Sequence, residues 1–220
     1  MRRSRRKAEA LEAQGWGEPQ MPIEAPPRRI LETGRLRLAP GESADTLEIF
    51  DLLARNHEHF ARWNPVVARE ELSADFALDL LASEARGWAQ GELLRLWIRL
   101  RDPPQTLVGW IKLDALSAGA FHSGRLGYAI DAAHQGRGLM REALTATLRF
   151  AFGQEVNLHR LQASVLPENA ASLRVLRASG FEDIGVARNY LRVGGRWRDH
   201  LLTQRINPAW REPSAASRVT

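Results

Sequence analysis

Residues 125–152 read RLGYAIDAAHQGRGLMREALTATLRFAF, which divides into a strand, a glycine turn and a helix. Leu126, Tyr128 and Ile130 alternate with the small Gly127 and Ala129, the period-two pattern of a strand. The turn is His134-Gln135-Gly136-Arg137-Gly138. Beyond it, Met140, Leu144, Leu148 and Phe152 recur every fourth residue with Ala143 and Ala151 beside them. No Gly or Pro interrupts Leu139 to Phe152. A second unit follows. Leu158–Leu166 (LHRLQASVL) alternates Leu161, Ala163 and Val165 and reads as a strand. Asn169 stands where a helix N-cap belongs, and Gly180 just past where that helix should end. Strand, helix and strand in this order predict a right-handed crossover between parallel strands. The N-terminus of the crossover helix then points to the side of the sheet where such folds take ligands.

A glycine turn that opens a helix is suited to an anion. The first helical amides have no partner within the helix, and glycines let the backbone approach a phosphate closely. Arg137 and Arg141, one helical turn apart, add positive charge. The phosphate motif GxxxxGK followed by Ser or Thr fails, because no Lys follows either glycine. The dinucleotide pattern GxGxxG fails because Arg141 holds its third glycine position. The pattern Q/R-x-x-G-x-G-A/G is met at Gly136 and Gly138 and departs at its ends, Ala133 and Leu139. By itself the turn is better read as a tight turn with a well-made helix start.

The wider pattern is more specific. LGYAI, QGRGLMREAL, LHRL, PENAASLRVLRASGF and NYLRVGGRWRDHLL join LETGRLRLAP near residue 35 and HFARWNP near residue 60. Together they resemble the GNAT superfamily of N-acetyltransferases, in its RimJ/RimL branch, over about residues 30–210. The resemblance implies a GNAT fold of α/β (mixed α+β) class: a twisted mixed sheet of about seven strands, helices on both faces, and a parallel strand pair that splays apart. It implies acetyl-CoA as cofactor. The diphosphate is expected on the amides of Arg137, Gly138, Leu139 and Met140, beside Gln135 and Gly136. The pantetheine arm is expected along the strand at Tyr128, Ala129 and Ile130, where a backbone N–H would polarise the thioester carbonyl. Asn169 would hold the pantetheine amide; its other reading is a plain N-cap, and both can be true. Many members carry a tyrosine seven residues after that Asn to protonate the thiolate; here it is Leu176. The branch's serine three residues after the Asn is matched by Ser172, the expected acid, whose other reading is a first-turn serine bonded to local amides. Candidates for the base are Glu142, His122, Asp199 and His200. Glu142 is carried forward with Ser172, although a first-turn carboxylate also suits the helix dipole. Phe60 and Trp63 are expected either to touch a peptide acceptor or to pack a helix on the sheet. His57 and His59 do not form HExxH and have no evident third ligand, so no metal is expected.

The implied reaction is acetyl transfer to the N-terminal α-amine of a protein, a ribosomal protein foremost. An α-amine titrates near 8 and a lysine near 10.4, so the former is roughly 10²-fold richer in free amine at neutral pH. Two alternatives stay open: a small-molecule amine as acceptor, and a ribosome- or RNA-binding factor that keeps acetyl-CoA as a structural ligand.

The 220 residues suffice for one sizeable domain, placed at 29–208 between a basic, Pro-rich tail expected to be disordered (1–28) and a loose C-terminal tail (209–220). Absence of cysteine excludes a disulfide scaffold, thiolate metal sites and cysteine nucleophiles. A net charge of +5 favours acidic partners. MRRSRRK at the start reads either as an RNA-contacting arm or as a solvated extension. No segment approaches the roughly 20 apolar residues that span a bilayer, and a cytoplasmic monomer or homodimer is expected. Leu31–Ala39 is expected to be the first strand. Helices are expected from Ser43 to Arg55, burying Leu47, Phe50 and Leu53 or Ala54, and from Ser73 to Gln90. Strands follow at 93–100, 107–114, 182–193 and 196–206, the last two joined through Gly194-Gly195.

Overall fold

A computed structural model describes residues 22–212. The basic run at residues 1–7 and the residues after 212 lie outside this range, so the expected arm and most of the expected C-terminal tail fall beyond it. Residues 22–28, expected to belong to a disordered tail, lie against the domain. Ile23 is buried, the Trp88 indole N–H donates to the Pro26 carbonyl (2.8 Å), and Arg28 donates to the Gly41 carbonyl.

Eight strands form one sheet in the order β1-β2-β3-β4-β5-β6-β8-β7. The extra strand arises at the start. Leu31–Ala39 folds as a small hairpin, β1 (Leu31–Glu32) and β2 (Leu36–Ala39), because Thr33-Gly34-Arg35 turns back and the Thr33 N–H closes on the Leu36 carbonyl. A 3₁₀ turn, Ser43–Asp45, leads into α1 (Thr46–Arg55), followed by α2 (His57–Ala61) and α3 (Ala74–Ala89). Strands β3 (Leu94–Leu100), β4 (Leu107–Ser117) and β5 (Ser123–Ile130) make the antiparallel meander. Then come α4 (Leu139–Phe152), β6 (Arg160–Val165), α5 (Ala170–Ala178), and the hairpin β7 (Glu182–Val193) and β8 (Arg196–Ile206).

Alternation along the strands assigns the two faces. The cross-strand row Trp97, Trp110, Ala129 packs with Ile49 and Leu52 of α1 and Ala77 and Leu81 of α3. The next row, Leu96, Ile111 and Tyr128, faces α4 through Met140, Ala143 and Leu144. Helix α1 does not bury the stripe expected of it: Ile49 and Leu52 are at 0% exposure, while Leu47 is 67% exposed. The 3₁₀ turn sets this phase. It is closed by the Glu42 N–H donating to the Asp45 carboxylate, so the α-helix starts at Thr46 rather than at Ser43.

The feature that positions the site is the parallel pair. β5 and β6 are in register only at Ser123↔Arg160, Gly124↔Leu161 and Arg125↔Gln162. Past that point β5 continues to Ile130 bonded to β4 alone, while Ala163–Val165 of β6 bond to β8 alone. The two strands part, as expected.

Candidate functional site

The parted strands lead to the glycine turn. Gly136 and Gly138 both sit at φ +74°, the left-handed region that glycine enters without penalty. No side chain caps α4 at Gly138, whereas Ser73 caps α3 and Asn169 caps α5. The first-turn amides of α4 are therefore left for a ligand. A Cβ at Gly136 would meet nothing within 4 Å, so the ground in front of the turn is open. Leu139 and Met140 bury their side chains, so what they offer a ligand is backbone. Arg137 bends back to the Ala133 carbonyl (3.1 Å), and Arg141 is exposed.

The approach to this turn is braced largely by residues that the sequence did not single out. Asp131 is buried and accepts from Arg55 and from the Ala133 N–H. Burial pushes its carboxyl up, but the Ala133 and Arg55 bonds outweigh this and hold it below the usual range. The Asn56 carboxamide accepts from the Ala132 N–H, and the His59 ring lies 3.0 Å from the Gln135 side-chain amide. Nothing in the local pattern marks Arg55 or Asn56; only the folded chain brings α1 to this loop.

On the other side of the gap, the Asn169 Oδ1 accepts from the Ser172 N–H at 3.0 Å, so the cap reading holds for it. The Ser172 hydroxyl lies 2.7 Å from the Tyr128 hydroxyl, which joins β5 to the first turn of α5. Burial pushes the Tyr128 phenol up to about 12, and the Ser172 bond offsets only part of that. Leu176 is 1% exposed and belongs to the core, so no donor from that position reaches the gap.

Several expected residues are placed elsewhere. Glu142 is engaged away from the gap: it accepts from the Thr33 hydroxyl (2.5 Å), the Arg35 N–H (2.9 Å) and the Arg35 guanidinium (2.7 Å). Burial raises its carboxyl, but these bonds outweigh it and hold the group below the usual range. A carboxylate so paired is a poor base, which weighs against the expected role of Glu142. Phe60 is 4% exposed among Ile49, Leu52 and Trp97, so it packs a helix on the sheet. Trp63 is half-buried at the end of α2. His122 lies at the closed end of β5, edge-on to Trp210, which also meets His159. Burial and the neighbouring His159 lower its pKa. Asp199 accepts from the Asn189 N–H and fixes a bulge in β7. His200 is buried next to Tyr190, one residue before the Leu201↔Val165 pair that ends β6. His57 bonds to the Val67 carbonyl. Among the described residues no group of three or more His, Cys, Asp or Glu could hold a metal, and no helix is long and apolar enough to cross a membrane.

Comparison with known proteins follows the same lines. The profile of the acetyltransferase (GNAT) domain matches residues 35–182. The ribosomal protein uS5-alanine N-acetyltransferase of Escherichia coli K12 is 32% identical over 185 residues, 84% of this chain and 94% of that enzyme. The ribosomal-protein-S5-alanine acetyltransferase of Vibrio fischeri superposes with a TM-score of 0.78 at 28% identity, over 84% of this chain and all of that one. Mycobacterium smegmatis RimJ, solved with CoA-disulfide, gives 0.77 at 27% identity, over 90% and 95% of the two chains. A profile that spans both the parted strands and the glycine turn, with a relative matched along nearly its whole length, settles the kinship: this chain belongs to the GNAT family of acetyltransferases.

Proposed function

We propose that the enzyme acetylates the N-terminal α-amine of a protein, with the N-terminal alanine of a ribosomal protein as acceptor. The observation that carries the reaction class is the unpaired edge of β5 leading to the uncapped glycine turn of α4. The acceptor rests on the 32% identity to the Escherichia coli enzyme. Acetyl-CoA supplies the activated thioester. The chain binds and orients it: the first amides of α4 take the diphosphate, and the free edge of β5 around Tyr128–Ile130 takes the pantetheine arm as an added strand. Asn169 keeps its NH₂ for that arm while its oxygen caps α5. Ser172, with its hydroxyl held by Tyr128, donates a proton to the leaving sulfur. An α-amine needs little help to lose its own proton near neutral pH, which suits a site where Glu142 is paired away.

The test is a thiol-release assay with acetyl-CoA and a panel of acceptors: peptides with the N-termini of ribosomal proteins, lysine-containing peptides with blocked N-termini, and small amines. Turnover on the free N-terminal alanine peptides, at least about tenfold above the rest, is expected. Preference for a small amine overturns the acceptor and leaves the enzyme class standing. Absence of thiol release with every acceptor overturns the catalytic reading.

A further inference from the structure

We infer that Arg35 is a positioning residue for the cofactor's diphosphate, reaching from the β1–β2 turn to hold the glycine turn in shape and to cancel the charge of Glu142. The inference rests on the diphosphate lying on the first amides of α4. Arg35 Nη1 donates to the Arg137 carbonyl at 2.9 Å. That bond turns the carbonyl toward the hairpin, so the Gly138 N–H of the same trans peptide faces the other way. Nε of the same guanidinium donates to Glu142 at 2.7 Å and Nη2 pairs with it at 2.6 Å, while the Arg35 main-chain N–H adds a third bond. Thr33 supplies a fourth, and Arg101 fixes the hairpin in turn through the Thr33 and Arg35 carbonyls. One side chain thus ties the residue before Gly138 to the residue four after it.

Electrostatics give the same answer. Glu142 is in the first turn of α4, where an uncompensated carboxylate would repel a diphosphate arriving at the same helix end. Arg35 neutralises it at contact distance and is itself half exposed, with Nη2 about 3.6 Å from where a Gly138 side chain would start. Packing alone would not require a fork of three bonds at the rim of the anion site.

The experiment compares two acetyl donors on the same protein: acetyl-CoA, and S-acetylpantetheine, which has no diphosphate. For Arg35→Gln, the KM for acetyl-CoA should rise at least about tenfold, with kcat and the KM for S-acetylpantetheine within about twofold of the parent. Arg35→Gln/Glu142→Gln should recover part of the loss, because the stranded carboxylate is gone. Loss of folded protein lowers turnover with both donors alike and leaves their KM ratio unchanged, so the ratio reads the site even in a destabilised variant. An unchanged ratio in Arg35→Gln overturns this inference alone. A parent that does not distinguish the two donors overturns the diphosphate placement as well.

Discussion

Alanine at Gly136 separates strain from ligand binding. Gly136 holds φ +74° with nothing within 4 Å of the position its Cβ would take. The cost to the folded protein is therefore backbone strain alone, about 1–2 kcal/mol for an L-residue held left-handed. For a chain of this size that is a fall in Tm of roughly 2–8 °C. The turn can relieve the strain only by rotating, and rotation re-aims the amides that follow. Loss of one charge-assisted hydrogen bond to a diphosphate, about 1.5–3 kcal/mol, weakens CoA binding by roughly 10- to 150-fold. Gly194 is the matched control: φ +58°, again nothing within 4 Å, and in the distant β7–β8 turn. Gly194→Ala should lose a similar margin of stability and keep its affinity for CoA. Thermal melts and calorimetric titration with CoA on both variants measure the two quantities. The reasoning is refuted if Gly136→Ala melts lower yet binds CoA as the parent does, or if Gly194→Ala loses the same affinity.

Three further outcomes are expected. Asn169→Ala should lower Tm by roughly 2–4 °C through loss of about 1 kcal/mol of capping, whereas Asn169→Asp should keep Tm and raise the KM for acetyl-CoA, having kept the cap oxygen and lost the NH₂. Equal KM in Asp and parent would limit Asn169 to capping. Ser172→Ala should lower kcat by about 10²-fold and Tyr128→Phe by less, each with little change in KM for acetyl-CoA; because the Tyr128 phenol is pushed up to about 12, the pH–rate profile below that should show no limb from it. Glu142→Gln should lower Tm at neutral pH. Its carboxyl is held below the ordinary value of 4.5 in the folded protein, so the stability it adds is present above that value and is lost as the pH falls below it. Melts across that range should therefore show parent and variant converging in acid; a constant difference would count against the Thr33 and Arg35 bonds.

Local pattern carried much of the architecture. The fourfold spacing from Met140 to Phe152 gave a helix with the bounds expected, and the Gly194-Gly195 turn gave both strands of the last hairpin. Where local signals misled, tertiary packing or a cap had decided. Ser43 looked like a helix start, but Glu42 and Asp45 closed a 3₁₀ turn and moved the α1 stripe to Ile49 and Leu52. Gly34 split an apparent single strand. For Phe60 substrate contact and packing both stayed open, because exposure cannot be read from residue type. At the site, the glycines and the Asn169 cap were legible because backbone geometry demands those residue types. The Glu142 clamp was not, because its partners lie 107 and 109 positions earlier in the chain.

The seam of three residue pairs between β5 and β6 makes the sheet two leaves, five strands and three, stitched at one end. Main-chain groups along the open lips must otherwise bond to water. A molecule laid between them would complete the ladder on both sides, so it would act as a ninth strand that comes and goes. Melting temperature should then climb with CoA concentration, by the equivalent of about 2.7 kcal/mol at a hundredfold excess over Kd. Deuterium uptake should slow most at those amides of residues 126–130 that point into the slot rather than at β4, since only those protons gain a new acceptor when the slot is filled.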